Sequence, residues 1–334
     1  MSRIRIGVFG LGPIGIAVAK LAVTRANLEI VGAVDLDPSM VGQDLGATLG
    51  LDTPLGVLID ANASAMLQRT RPDVVILCTQ SSLNAIGSQL SMIIEHGARV
   101  VSTCEELSFP WRSDSPNVER LNTLAIEKKV AVLGTGVNPG YAMDTIPLLL
   151  SAAAQQVQHV SVQRVQDAGI RRLPLMRKVG VGISVEEFES RRSSIGHIGL
   201  PESLAMVAAG LGWKLDKVDR VLEPVVADAP GQFGELSVKA GDVVGVHENM
   251  KGFADGVERI VLDLRMYAGA PDPHDETTIK GNPDLHMRID GLHGDVCTAA
   301  VAVNSVRAIM RANPGLLTMR DIPLVSADLN ELDC

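Results

Sequence analysis

The chain opens with a short apolar run, Ile4-Arg5-Ile6-Gly7-Val8-Phe9, that passes through a glycine-rich turn into a segment with helical spacing. Two hydrophobic patterns then alternate. Nearly continuous apolar runs at residues 28–34, 73–79, 99–104 and 130–134, with a weaker one at 54–59, predict strands buried on both faces. Between them, apolar residues recur three and four apart, which predicts helices over 16–24, 82–96 and 117–128, the second stopped by His96-Gly97. Six strands alternating with helices in this way predict an α/β fold, a Rossmann-type doubly wound parallel sheet.

Beyond Tyr141 the rhythm changes. A helix to about residue 155 and a strand over 159–166 lead to long alternating segments at 217–226, 242–251 and 257–266. These predict a second, α+β domain built on an open, largely antiparallel sheet covered by helices. Ser184-Val185-Glu186-Glu187 resembles a capping box, and Pro201 suits a first helical turn. A last helix, 298–313, ends at Asn313-Pro314-Gly315. The expected division is a dinucleotide-binding domain over 1–143, rejoined by 300–334, and a substrate-binding and dimerisation domain over 144–299. With no repeat or low-complexity linker, the boundary near residues 138–144 reads as a hinge.

Composition narrows the classes. The 334 residues, 46% hydrophobic, suffice for two cores. No apolar run reaches the roughly 18–20 residues of a membrane span, and the basic, apolar N-terminus fits a nucleotide turn better than a secretion signal. A net charge of −9, a pI near 5.3 and a scatter of two Trp, two Tyr and five Phe argue against nucleic acid as a partner. Cys78, Cys104, Cys297 and Cys334 stand far apart without a CxxC pair, so reduced thiols in a cytoplasmic protein are expected, with no zinc site.

The glycine turn, Gly10-Leu11-Gly12-Pro13-Ile14-Gly15, has the form of a dinucleotide-binding loop. Its glycines serve in order for the bend, for backbone approach to a pyrophosphate, and for close helix packing. Asp35 ends the second strand about twenty residues on, where an acid meets the adenosine ribose. NAD is therefore favoured and NADP remains open; Asp37, before Pro38, reads as a turn former rather than a second ribose ligand. The alternative is a doubly wound domain with an unused turn.

Ligands in such sheets lie at the strands' carboxyl ends. These ends carry Thr79-Gln80-Ser81-Ser82, Cys104-Glu105-Glu106 and Asn138-Pro139-Gly140. Successive strand side chains alternate, so one of Glu105 and Glu106 is expected to face the nicotinamide, with Glu105, nearer the strand end, preferred. A helix-terminal role is the competing reading for either acid. Asn138 offers an amide to the nicotinamide carboxamide or to substrate, or simply opens an Asn-Pro-Gly turn. His286, Asp290, His293 and Asp295 suggest a metal cluster only at first sight, because Leu285, Met287 and Ile289 alternate with them as in a half-buried strand. No metal is expected.

Four segments together resemble a known family: residues 101–108 (VSTCEELS), 134–140 (GTGVNPG), 196–203 (GHIGLPES) and 294–300 (GDVCTAA). They look like the native amine dehydrogenases, relatives of 2,4-diaminopentanoate dehydrogenase that are grouped with dihydrodipicolinate-reductase-like proteins. The resemblance spans nearly the whole chain. It implies a homodimer in which NAD(P)H reduces an imine formed from ammonia and a small or medium ketone or aldehyde, with a cleft glutamate as the catalytic group. Glu105 matches the first glutamate of the family motif, and Glu106 leaves a one-residue ambiguity. Tyr141 and Thr298 are implied pocket walls, and His197 lines the pocket or fills a turn. The chain departs from the lysine-pathway reductase in having no His-His pair; its basic cluster, Arg171-Arg172 with Arg177-Lys178, reads best as a solvated or dimer-edge face. Reduction of a preformed cyclic imine, and NAD binding without catalysis, are the competing readings.

Overall fold

The continuous apolar runs pair side by side, as strands that must be covered on both faces do. The computed structural model describes residues 3–112, 115–196 and 198–327. It contains two compact units, Met1–Tyr141 with Gly294–Cys334, and Ala142–His293. The first unit runs β1 (Ile4–Phe9), α1 (Pro13–Ala22), β2 (Leu28–Val34), α2 (Leu45–Leu49), β3 (Ile59–Asp60), α3 (Ala63–Thr70), β4 (Val74–Leu77), α4 (Leu83–Glu95), β5 (Arg99–Ser102), α5 (Pro116–Glu127) and β6 (Ala131–Gly134). The second contains α6 (Thr145–Ser151), β7 (Gln156–Asp167), α7 (Leu173–Lys178), α8 (Val185–Arg191), α9 (Leu200–Gly210) and β8 (Lys217–Val226). It continues through the short pair β9 (Gly231–Phe233) and β10 (Leu236–Val238) to β11 (Val243–Ala254), β12 (Val257–Tyr267), β13 (His274–Asn282) and β14 (Leu285–Asp290). The chain then returns to the first unit as α10 (Gly294–Ile309) and β15 (Gly315–Leu317).

The first unit's sheet has the order β15-β6-β5-β4-β1-β2-β3 with every pairing parallel. All four residues of β4 are fully buried. Ile86, Leu90, Ile93 and Ile94 of α4 and Leu121 of α5 share a core with Val75 and Leu77, while Leu11, Ala19 and Leu45 share another with Val8. α10 packs against α1, closing that side.

Four expectations are corrected. The sheet has seven strands rather than six, because Gly315-Leu316-Leu317 adds a parallel edge beside β6, with the Leu316 amide donating to Asn122 Oδ1 at 2.9 Å. Residues 54–59 are mostly not a sheet strand. Asp44 takes the amides of Leu55 and Gly56 at 3.0 and 2.8 Å, and Leu58 bridges back antiparallel to Asp44, so only Ile59–Asp60 reach the sheet. The last helix starts four residues earlier than expected, at Gly294, and ends at Ile309, while α6 stops at Ser151.

The second unit's sheet, β14-β13-β7-β12-β11-β8, is antiparallel except for the β7–β12 pair. Val160, Val162, Leu262, Leu264, Val246 and Met250 are buried, and α9 packs against β11 and β12. On β14, Leu285, Met287 and Ile289 turn toward cover while His286 and Asp290 are exposed, and the described residues contain no cluster of metal-binding side chains. Ser184 caps α8 through the Glu187 amide at 3.1 Å, and Pro201 lies in the first turn of α9. Asp144 takes the Thr145 amide at 2.6 Å and the Ser203 hydroxyl at 2.7 Å, tying α6 to α9.

Arg164 of β7 and Asp275, its register partner on β13, form a buried ion pair at 2.5 Å, with a second Arg164 donor on the Leu292 carbonyl at 3.1 Å. Burial pushes the Asp275 carboxyl up, against the opposing pull of Arg164. Arg164→Met should cost about 3–5 kcal/mol in urea unfolding at neutral pH, because it strands a buried carboxylate. A raised folded-state pKa means that the native chain binds the proton more tightly, so part of this loss should return as the pH falls toward the ordinary carboxylate range. The double variant Arg164→Met/Asp275→Leu should recover most of it. A cost below about 1 kcal/mol would count against the ion pair's structural role.

Candidate functional site

The strand ends on either side of β1 define a cleft. Gly10 turns away from β1 with φ 82°, and its amide donates to the Val34 carbonyl at 2.9 Å. A Cβ on Gly15 would overlap the Gly10 carbonyl oxygen, so the helix can meet the turn this closely only with glycine there. Pro13 opens α1 at a position where its missing N–H is not needed. Gly12 stands at the N-cap without a side-chain partner, and a Cβ there would point into open space. Ile14 is half-buried in the first turn.

Asp35 is held at the end of β2 by three backbone amides: Leu11 donates to Oδ2 at 2.5 Å, and Leu36 and Asp37 donate to Oδ1 at 2.7 and 2.9 Å. Asp37 instead accepts from the Ser39 amide and hydroxyl at 2.8 and 2.6 Å, the turn-forming role. The cleft between these strand ends, about 670 Å³, is lined by Gly10, Gly12, Asp35, Leu36, Asn62 and Thr79, among others. Sequence reasoning did not single out Leu36 or Asn62. The signal for Leu36 is an apolar side chain that stays 77% exposed beside an acid. Thr79 is fixed by its hydroxyl donating to Gln89 at 2.7 Å, and Gln80 is exposed.

This cleft suits a dinucleotide. The free backbone at the positive end of α1 suits a pyrophosphate, the Gly12 side leaves it room, and the oriented Asp35 carboxylate lines the same cleft.

The two glutamates separate. β5 ends at Ser102, and residues Glu105–Ser108 form one 3₁₀ turn. Within it the Glu106 carboxylate accepts the Leu83 amide at 2.7 Å, and the Glu106 amide donates to the Ser81 carbonyl at 3.3 Å. Ser82 is the N-cap of α4 but makes no side-chain cap bond, so the carboxylate of Glu106 occupies that place. Glu105 starts the turn, half-buried, with its carbonyl accepting from the Ser108 hydroxyl at 2.8 Å. Leu107 is fully buried in the core, and a Cβ on Gly134 would overlap the Leu107 backbone. Gly134 therefore lets this turn lie against the end of β6.

After β6, both polar atoms of the Asn138 side chain are buried without a hydrogen-bond partner among the described residues. Buried amides are as a rule satisfied, so an unpartnered one calls for a partner beyond the chain, such as water or a ligand. The Asn138–Pro139 peptide is cis, and Gly140 follows with φ 122°. Thr298 lies in the second turn of α10, where its hydroxyl accepts the Val137 amide at 3.2 Å; it supports this loop from behind. Tyr141 is half-buried just after Gly140, and His197 lies outside the described residues. Arg172 stands at the N-cap position of α7 without a side-chain cap bond, and the last turn of that helix carries Arg177 and Lys178, a favourable place for cations.

A parallel sheet with a glycine turn at its carboxyl edge defines the class as a Rossmann-type dinucleotide-binding fold. Residues 4–104 match the family model described as dihydrodipicolinate reductase, N-terminus, and residues 141–333 match that described as 2,4-diaminopentanoate dehydrogenase C-terminal domain. The chain is 30% identical to the 2,4-diaminopentanoate dehydrogenase of Acetoanaerobium sticklandii, over 99% of this chain and 96% of that one. It is 25% identical to the amine dehydrogenase of Streptomyces virginiae, with 95% of each chain covered. The solved amine dehydrogenase of Mycobacterium smegmatis superposes with a TM-score of 0.88 at 26% identity, over 99% of both chains. The chain belongs to the 2,4-diaminopentanoate dehydrogenase family and is an oxidoreductase acting on amines. No described helix is long and apolar enough to cross a membrane.

Two thiols lie at the same strand ends. Burial pushes both Cys78 and Cys104 up to about 12, and the Cys104 thiol donates to the Ser81 carbonyl at 3.1 Å. The thiolate is the reactive form, so neither is poised as a nucleophile; Cys104 is buried, whereas Cys78 is partly exposed at the cleft. Cys104 should resist iodoacetamide at pH 8 in the folded protein and react once guanidinium unfolds it, as read by peptide mass. Rapid labelling of Cys104 in the native state would contradict its assignment as a packing group.

Proposed function

We propose that the chain is an NAD-dependent amine dehydrogenase. It joins ammonia to a small or medium ketone or aldehyde and runs the reverse oxidative deamination, with NADP the less favoured cofactor. The observation that carries this reading is the acid turn after β5. Glu105 starts it at the sheet's carboxyl edge, flanked by the β4 loop and the loop bearing the unpartnered Asn138 amide.

In this reading the amides at the start of α1 hold the pyrophosphate, and Asp35 accepts the ribose hydroxyls and repels a 2′-phosphate. Leu36 offers the adenine an apolar wall, and the Asn138 amide pairs with the carboxamide at the far end. Bound there, the nicotinamide supplies hydride to the substrate carbon.

Glu105 handles the protons. Its carboxylate takes a proton from ammonium, freeing the nitrogen lone pair to attack the carbonyl carbon, and a proton then passes from the added nitrogen to the carbonyl oxygen to give the neutral carbinolamine. The proton held by Glu105 then goes to the carbinolamine hydroxyl, which leaves as water as the nitrogen lone pair forms the C=N bond. The resulting iminium is cationic, and the restored carboxylate stabilises it beside the site of hydride arrival.

NADH oxidation should therefore require carbonyl and ammonium together. Glu105→Gln should lower kcat about 10²- to 10⁴-fold while the cofactor still binds, the range for loss of a positioned proton-transfer group. Turnover without ammonium, or a fully active Glu105→Gln, would sink the reading. Asp35→Asn, which removes the charge but keeps an acceptor for Leu11, should raise the NADPH-to-NADH ratio of kcat/KM about tenfold or more, equivalent to about 1.4 kcal/mol. An unchanged ratio would show that Asp35 does not select the cofactor.

A further inference from the structure

The sequence places two acids side by side where the chemistry calls for one, and the second has a distinct setting. The Glu106 carboxylate lies on the Leu83 amide at the positive end of the thirteen-residue helix α4, at 2.7 Å, where no Ser82 cap bond competes. Two further bonds fasten the same stretch of chain to the same loop. The Glu106 amide and the Cys104 thiol both donate to the Ser81 carbonyl, at 3.3 and 3.1 Å. On the other side Leu107 is buried in the core, its backbone against Gly134. Glu105 thus sits between two anchored neighbours, on a turn stapled to the β4 loop whose Thr79 and Gln80 line the dinucleotide cleft.

We propose that Glu106 is a positioning residue for Glu105. Its carboxylate clamps the Glu105–Ser108 turn to the start of α4, so that the proton-handling group and the cofactor-lining loop are held as one piece. This rests on the reading of Glu105 given above. A single turn of 3₁₀ helix has little rigidity of its own, and its end bonds are readily exchanged for water. A misplacement of about 1 Å at a reacting group costs on the order of 10²-fold in rate, so an external clamp has kinetic consequences.

The test compares the full-length wild type with Glu105→Gln, Glu106→Gln, Glu106→Ala and Leu83→Pro in ammonium-dependent reduction of a ketone. Cofactor affinity is read by NADH fluorescence, and protection of the Leu83 amide by hydrogen exchange. Glu106→Gln keeps an oxygen that can accept from Leu83. Leu83→Pro removes the donor at a first helical position that tolerates proline, leaving the Glu106 side chain intact.

Glu106→Ala should lower kcat about 10²-fold, with NADH affinity within about twofold and Leu83 protection lost. Glu106→Gln should stay within about fivefold of wild type, and Leu83→Pro should reproduce the Glu106→Ala fall in kcat. Should Glu106→Ala not fold, the contrast between Glu106→Gln and Leu83→Pro decides. Glu106→Ala within threefold of wild type, Glu106→Gln as damaged as Glu106→Ala, or an unimpaired Leu83→Pro would each overturn the clamp while leaving Glu105 in its role. An active Glu105→Gln would overturn both, since nothing would remain to be positioned.

Discussion

The parallel register of β4, β5 and β6 is the constraint on which the candidate site depends. Leu77 pairs with Ser102 and Ser102 with Gly134, so three strands finish level and release their loops at one edge of the sheet. The bonding continues past the strands: Thr103 donates to the Leu77 carbonyl at 3.0 Å and Thr135 to the Ser102 carbonyl at 2.8 Å. Level ends alone would still leave the loops apart. Gly134, without a side chain, lets the acid turn lie directly on the end of β6.

In the proposed reading two functions separate along the sheet from that edge. Toward β1 and β2 lie the features it assigns to phosphate and ribose recognition: uncapped helix amides, room at Gly12, and a carboxylate oriented by three amides. Toward β5 and β6 they are those proposed for proton transfer and carboxamide recognition, in Glu105 and Asn138. Thr298 belongs to the support of this second part, since its hydroxyl holds the Val137 amide immediately before Asn138. In the proposed reading the dinucleotide spans the two, and the amine chemistry of the family takes place at the β5 end.

The strands of the parallel sheet were legible because burial on both faces demands uninterrupted apolar runs, which polar loops cannot imitate. The glycine turn was legible as a turn because its backbone admits few residue types: Gly10 has φ 82° and a Cβ on Gly15 would overlap the Gly10 carbonyl oxygen. What escaped detection depends on contacts distant in sequence. Residues 55–58 have the composition of a strand, but Asp44 diverts their amides. β15 is three residues long and is specified by its edge neighbours rather than by its own pattern. Strand position alone favoured Glu105 over Glu106 as the cleft acid, but the partner of Glu106 was not legible, because it is Leu83, twenty-three positions away, whose amide donates to the Glu106 carboxylate. The support that the Thr298 hydroxyl gives the loop was likewise not legible, because the bond spans 161 positions.

The central claim is that hydride from the nicotinamide ends on the carbon that gains nitrogen from ammonia, and isotope transfer tests it directly. NADH carrying deuterium at the transferable C4 position, supplied with a ketone and ¹⁵N-ammonium, should give an amine that bears deuterium on the carbon bonded to ¹⁵N, seen as a coupled pair by mass spectrometry and NMR. An alcohol as the deuterated product, or an amine without the label, would contradict the account.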